Sequence, residues 1–233
     1  MIIALNRMER DGYFTLPPSQ KKQQGIKLKP IKHTHHSDPK EDIFLPVDAL
    51  PELKVTICKT DEEKYLWNEY IDRYHYIGYS PIPGAYMKYL IYAEADVVAL
   101  LGFGASAWRI ESRDKYIGWS DEARKKNLMM VVNNTRFLIL PWIFSKNLAS
   151  KVLSLIAKRI ADDWEEQYKY RPVLLETFVE DNRFPGTCYK AANWQYIGMT
   201  KGRGKKDKFN RPTLPVKKIF VYPLEKDFRK ILC

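Results

Sequence analysis

Acid–base and anion-binding side chains concentrate in one stretch of this chain, residues 173–204. Glu176, Thr177, Glu180, Asp181, Asn182, Arg183, Thr187, Tyr189 and Asn193 all fall within it, between apolar runs that read as buried strands. Polar groups crowded at a strand-end turn are where α/β proteins build sites. Glu176 and Glu180 point to one face of a strand, and two acids on one face can hold a metal for phosphodiester cleavage. The competing reading pairs Glu176 with Arg136 or Arg183 and leaves 180–182 as a solvated turn. No third acid stands at a clear ligand spacing, so no metal is expected. Tyr189 reads as a packing ring with a bonded hydroxyl or, as the fold resemblance given below implies, as a general acid. Its neighbour Cys188 fits a small buried side chain better than a nucleophile. His75 closes an aromatic-rich helix, where it is either a general base or a packed ring satisfied by a carbonyl. The catalytic candidates are therefore His75, Glu176 and Tyr189.

The charge points to an anionic partner. Lys plus Arg is 39 against 28 acids, a net charge of +11, and the excess clusters at residues 21–32 and 201–218. The stretch 201–206, KGRGKK, combines glycine flexibility with cations, and each cation on a phosphate releases counterions. Asn133, Asn134, Thr135 and Arg136 break an apolar run, as a bulge does or as a patch reading bases and phosphates does. The nucleic-acid candidates are Arg136, Lys146, Arg183, Asn193, Lys201, Arg203, Lys205 and Lys206. Tyr79, Trp108 and Trp119 are base-stacking candidates, each also a candidate for the core. Arg183, Thr187, Tyr189, Asn193 and Arg203 are expected to share one functional surface, with DNA as the partner.

Positioning these groups takes one large domain. Residues 1–18 read as a short helix and strand, a winged-helix remnant too small to fold alone. Residues 19–46 read as a basic linker rich in Lys, Gln, Pro and His. His33, His35 and His36 lack a fourth ligand at zinc spacing and read as solvated. The domain spans 47–233. Leu53–Cys58 predicts a strand, and Thr60 with Glu63 predicts a capping box opening a helix to about Tyr76. Tyr86–Ala93 and Val97–Ser106 predict a strand pair, and 109–118 is irregular or helical before a helix start at 119–122. Two short strands follow, Met129–Val132 and Arg136–Leu140. Apolar spacing predicts one long helix over Asn147–Tyr168. A strand, a short helix and a strand occupy 173–199, and Lys218–Tyr222 is the last strand. With 45% hydrophobic residues the chain can build a sizeable core. No run approaches the roughly 18–20 apolar residues of a membrane span, and charged residues open the chain where a signal peptide would be apolar. Three cysteines without ligand spacing fit a reducing, cytoplasmic setting, with no membrane partner.

This order of elements is similar to the GNAT acyltransferase fold, an α/β (α+β) mixed central sheet flanked by helices. Asn182, Tyr189 and 194–198 stand where that fold carries an Asn-containing turn, a Tyr-bearing short helix and a strand. Several phrases resemble a narrower family: YHYIGY at 74–79, Trp108 with Arg113 and Asp114, IGWS at 117–120, NNTRFLI at 133–139, NLAS at 147–150, and RFxGTxYxAANW at 183–194 running on to Gly202-Arg203-Gly204. Over residues 50–225 the chain resembles the protein A family of the Druantia anti-phage defence system, whose domain also precedes the nuclease domain of some transposases. The resemblance implies a DNA-directed role in defence or in mobile elements, beside other proteins of such a system. The GNAT resemblance implies acetyl-CoA, whose pyrophosphate sits on a glycine-rich turn opening the long helix. The equivalent stretch here, 141–150, has no glycine, which hinders backbone approach to a phosphate and disfavours that cofactor. The expected function is a DNA-binding protein. The alternatives are an acyltransferase modifying nucleobases and a metal-assisted nuclease subunit.

Overall fold

Thr60 opens the first helix as its sequence predicts. Its hydroxyl accepts from the Glu63 N–H at 3.1 Å while the Glu63 carboxylate accepts from the Thr60 N–H at 3.0 Å, a complete capping box that stabilises a helix start by about 1 kcal/mol. This helix, α1, spans Asp61–Tyr74 and buries Trp67, Tyr70 and Ile71. In this computed structural model the described residues are 11–13, 15, 30–202 and 214–233. The chain divides into two units, Met1–Ile31 and Lys32–Cys233. In the first, 11–13 form a turn; the expected helix at 2–10 and most of the 1–18 appendage lie outside the described residues.

The second unit is built on a seven-stranded sheet of order β1-β2-β3-β4-β5-β7-β6. Its strands are β1 (Leu53–Ile57), β2 (Tyr86–Ala93), β3 (Asp96–Ala105), β4 (Val131–Ile139), β5 (Leu174–Glu180), β6 (Gln195–Met199) and β7 (Lys217–Pro223). All neighbours are antiparallel except β4 and β5. This mixed central sheet flanked by helices is the α/β class expected. Its helices after α1 are α2 (Glu111–Ile117), α3 (Asp121–Asn127), α4 (Leu148–Ala157), α5 (Ile160–Tyr168), α6 (Thr187–Ala191) and α7 (Phe228–Leu232).

Strand alternation assigns the layers. Lys88 of β2 lies against α1, with its ammonium 2.6 Å from Asn68 Oδ1 and 4.8 Å from the Trp67 ring. The next residue, Tyr89, turns the other way and donates its hydroxyl to Asp163 of α5 at 3.0 Å. The sheet is therefore covered on both faces, and β2 and β3 are buried almost throughout. Trp67 sits so close to β3 that a Cβ at Gly102 would lie 2.8 Å from its ring, which restricts that position to glycine. A second cluster, with Ile117, Trp119, Leu174, Val221 and Phe228, fills the space under α2, α3 and α7.

Three sequence expectations change here. The single long helix over 147–168 is two, broken at Lys158–Arg159. Arg159 holds the break, since its Nε donates to Asp163 at 2.7 Å and its Nη1 to the Val55 carbonyl at 3.0 Å. The apolar repeat continues across the break, so periodicity alone could not show it. The two short strands at 129–140 are one, β4, carrying a bulge: Asn134 faces Phe103 and Arg136 faces Gly102, leaving Thr135 extra. Finally, the segment read as linker is anchored from residue 32 onward. Tyr70 donates to His36 O at 3.0 Å, Tyr74 to Ser37 O at 2.8 Å, and Arg73 to Ser37 Oγ at 2.9 Å and Asp38 at 2.8 Å. His33 pairs with Asp72 at 2.8 Å, and Ile43 bridges Ile143.

Candidate functional site

The bulge at Thr135 lies where β4 and β5 part. Their parallel pairing runs only from Val131–Leu174 to Asn134–Thr177, although β4 continues to Ile139 and β5 to Glu180. Tyr189 of α6 fills the base of the wedge. It is buried among Phe137, Trp194 and Phe220, and its hydroxyl donates to Asn134 Oδ1 at 2.7 Å. The Asn134 amide in turn donates to the carbonyls of Gly102 and Arg136 at 3.1 and 2.9 Å. Thr177 Oγ1 donates to Asn134 O at 3.1 Å. This network holds the bulge and the parted strands in one arrangement. Gly186 lets α6 approach: its φ is +75°, and a Cβ there would meet the Phe220 ring at 2.7 Å.

Above Tyr189 the parted strands open a cleft of about 690 Å³, within the usual size of a small-molecule site. Its walls are Arg136–Ile139 of β4, Thr177–Val179 of β5, the end of α1 at 74–77, the turn 184–186 and α6. Lys217 and Arg136 are its cations; among the described residues lining it there is no Asp or Glu.

His75 stands on this wall, half-buried at the end of α1. Its Nδ1 accepts from the Ile77 N–H at 3.3 Å, which leaves the proton of the neutral ring on Nε2. Burial, with the Arg136 charge adding to it, pulls its pKa down from 6.5 to about 4. Arg136 donates to Thr135 O and Ser80 Oγ, both at 2.8 Å, while its Nε is buried without a partner. Burial holds the Tyr189 phenol well above its ordinary value, so it stays protonated. At the mouth lie Tyr76 and Phe184, 38% and 42% exposed, with centroids 5.2 Å apart in a T arrangement. The Arg183 guanidinium covers Tyr76 at 4.7 Å.

The structure thus brings His75, Tyr189, Arg136 and Arg183 to one cleft and sends Glu176 elsewhere. Thr177 faces Tyr189, so Glu176, one residue earlier, faces the opposite side of the sheet. There it is fully buried against Arg113, at 3.2 and 3.3 Å from its Nη1. Arg113 also grips Asp114 at 2.9 Å and the Ala107 carbonyl at 2.9 Å. Its partner is neither Arg136 nor Arg183, the two expected. Burial still raises the Glu176 pKa despite Arg113. Among the described residues no three His, Cys, Asp or Glu side chains converge.

The remaining candidates scatter. Lys146 is exposed in the turn before α4, where Asn147 adopts a left-handed φ of 66°. Asn193 is exposed, and its φ of 63° explains its type as the turn residue after α6. Lys201 pairs with Glu111 beside a different cavity, lined by Arg109, Asp114, Trp119 and Arg124. Trp119 is core, donating its Nε1 to Asp114 at 3.2 Å. Tyr79 is partly buried beside Lys88. Trp108 is 55% exposed, under the Arg124 guanidinium and away from the cleft. Arg203, Lys205 and Lys206 lie outside the described residues. Of the residues expected to share one surface, Thr187 and Tyr189 line the cleft with Tyr189 buried at its base and Arg183 at the mouth, while Asn193 is not among the lining residues and Arg203 lies outside the described residues. Sequence reasoning missed Tyr76 and Phe184 as mouth residues; their signal was two bulky rings flanking His75 and Arg183 in polar turns.

The model of the family described as "Druantia protein DruA" matches residues 7–213. The chain belongs to that family. The match begins well before residue 50, so it takes in most of the segment read as appendage and linker. No curated protein matches the sequence. Among solved structures, the chain is similar to an N-acetyltransferase from Staphylococcus aureus (12% identity, TM-score 0.43, covering 74% of this chain and 98% of that one). It is also similar to the polyamine N-acetyltransferase of Drosophila melanogaster (12%, TM-score 0.44, 73% and 100%). A third is a Bacillus subtilis acetyltransferase in complex with CoA (10%, TM-score 0.41, 75% and 100%). At such identities and scores the likeness concerns the course of the chain and nothing chemical. Among the described residues of this family member, no helix is long and apolar enough to cross a membrane. Cys58, Cys188 and Cys233 are free thiols.

Proposed function

We propose that the protein is a DNA-directed component of an anti-phage defence system or of a mobile element, holding DNA phosphates with cations around the β4–β5 cleft. The observation that carries this reading is the cleft's charge. Arg136 and Lys217 line it and no carboxylate stands among its described lining residues, in a chain of net charge +11; Arg183, over Tyr76 at the mouth, is offset in part by Glu180 at 3.9 Å. Such a field favours an anionic partner. Membership of the Druantia family supports the defence setting.

The test is a salt series. DNA affinity should fall steeply with ionic strength, each phosphate contact adding roughly 0.9 to the log–log slope. Arg183→Ala and Lys217→Ala should each weaken binding and reduce that slope by about one contact. A flat salt dependence, or no binding at low salt, refutes the reading.

A second reading takes the cleft as an acetyl-CoA site, favoured by its place where two parallel strands part. The residues fit that group poorly. The turn before α4 carries a side chain at every position, and its Phe144 stacks on Phe44 with centroids 4.7 Å apart. The Tyr189 hydroxyl is already committed to Asn134. Calorimetric titration with acetyl-CoA separates the two readings; micromolar binding would reverse their order.

A further inference from the structure

We propose that the β4–β5 cleft receives one unpaired nucleobase of a DNA strand, stacked at its mouth against Phe184 and Tyr76. This rests on the DNA-directed reading above and names the part of DNA that the cleft takes.

The mouth is the first reason. Tyr76 and Phe184 are 38% and 42% exposed at the rim of a cavity rather than scattered; Tyr76 is stacked with His75 at 4.9 Å, so Phe184 is the ring that offers surface to a ligand. Their T arrangement presents one ring face and one ring edge, a platform on which a flat ligand can lie. The Arg183 guanidinium over Tyr76 adds a third planar, cationic group beside it. Stacking on such faces is tolerant of base identity, because every base has a π-face.

The interior is the second reason. A site of about 690 Å³ holds a nucleoside with room to spare, and a base pair within a duplex cannot enter without extrusion. Inside, the Arg136 Nε–H is buried without a partner. The His75 Nε2–H is directed by the Ile77 amide on the other ring nitrogen. These donors come from two walls, β4 and the end of α1, and the described lining supplies no carboxylate to meet them. The edge of an unpaired base carries hydrogen-bond acceptors suited to a donor such as the His75 Nε2–H. His75 remains uncharged at neutral pH, so it donates a hydrogen bond rather than acting as a phosphate clamp. The strand's phosphates are left to Arg183 at the mouth and to Lys217 on the lining.

The experiment is fluorescence anisotropy with the whole chain, using a labelled single strand, its duplex, and a nucleoside monophosphate as competitor. The parent should bind the single strand more tightly than the duplex. Phe184→Ala should weaken single-strand binding about tenfold or more while leaving duplex binding unchanged, and Phe184→Tyr should restore it. Phe184 is exposed, so the fold should survive its loss, and thermal melting checks this. Tyr76→Ala, at the other ring of the pair, should reproduce the effect. Single-strand binding unaltered in both alanine variants overturns the cleft assignment while the DNA reading stands. A parent that binds no DNA at low salt overturns the DNA reading itself. A monophosphate that competes as well as the strand assigns the cleft to a free nucleotide and overturns the proposal.

Discussion

Removing Arg113 should unfold this protein more readily than any change in the cleft. Arg113 and Glu176 are both fully buried, and Nη1 donates to both carboxylate oxygens, at 3.3 and 3.2 Å. Arg113→Met strips Glu176 of its cation inside the fold. Breaking a buried pair from one side costs about 3–5 kcal/mol, which for a chain of this size lowers Tm by roughly 6–20 °C. Glu176→Gln should cost less, about 1–2 kcal/mol, because Arg113 keeps Asp114 and the Ala107 carbonyl. The double variant Arg113→Met, Glu176→Leu leaves no stranded charge and should regain most of the loss. The pH dependence has a definite sign. Burial already raises the Glu176 pKa above 4.5, and loss of Arg113 raises it further. A carboxyl whose folded pKa is raised contributes its stability at low pH and loses it as pH rises through the folded value. The Arg113→Met deficit should therefore grow from about pH 4.5 upward. Urea unfolding followed by circular dichroism, at several pH values, measures all of this. A double variant no more stable than the sum of the two single losses would refute the reasoning. Tolerance of Arg113→Met at neutral pH would do the same.

Two further outcomes follow from the cleft. Tyr189→Phe leaves the buried Asn134 Oδ1 without its donor, so it should cost about 1–3 kcal/mol, read as a lowered Tm, with DNA affinity unchanged. The burial-depressed pKa of His75, about 4 against 6.5, contributes stability above pH 6.5 that is lost as pH falls through about 4. Melting curves of His75→Gln should therefore lie closer to the parent at pH 4 than at pH 7.

Much of the architecture was legible in the sequence because local physics fixes it. The capping box at Thr60, the Ser120 helix start, the alternating and apolar strand runs, and the turn at 183–187 depend on residues within a few positions of one another. The phrases that mark the Druantia family were equally readable, and the match at residues 7–213 bears them out. The bulge at 133–136 could be anticipated, since four polar residues interrupt an apolar strand. What it does could not. It lies where the β4–β5 pairing ends, and its Asn134 is held there by Tyr189, 55 residues away. Tertiary structure alone also chose the partner of Glu176. A strand specifies which residues share a face, but which cation meets that face depends on the helix packed there, and α2 brings Arg113 across 63 residues of sequence. The same holds for the rings. Tyr79, Trp108 and Trp119 were as aromatic as Tyr76 and Phe184, but only the packing of the end of α1 against the turn before α6 sets two rings at the mouth of one cavity. Sequence determined the elements, the charge and the kinship; long-range contacts decided which polar groups are consumed by the fold and which remain for a ligand.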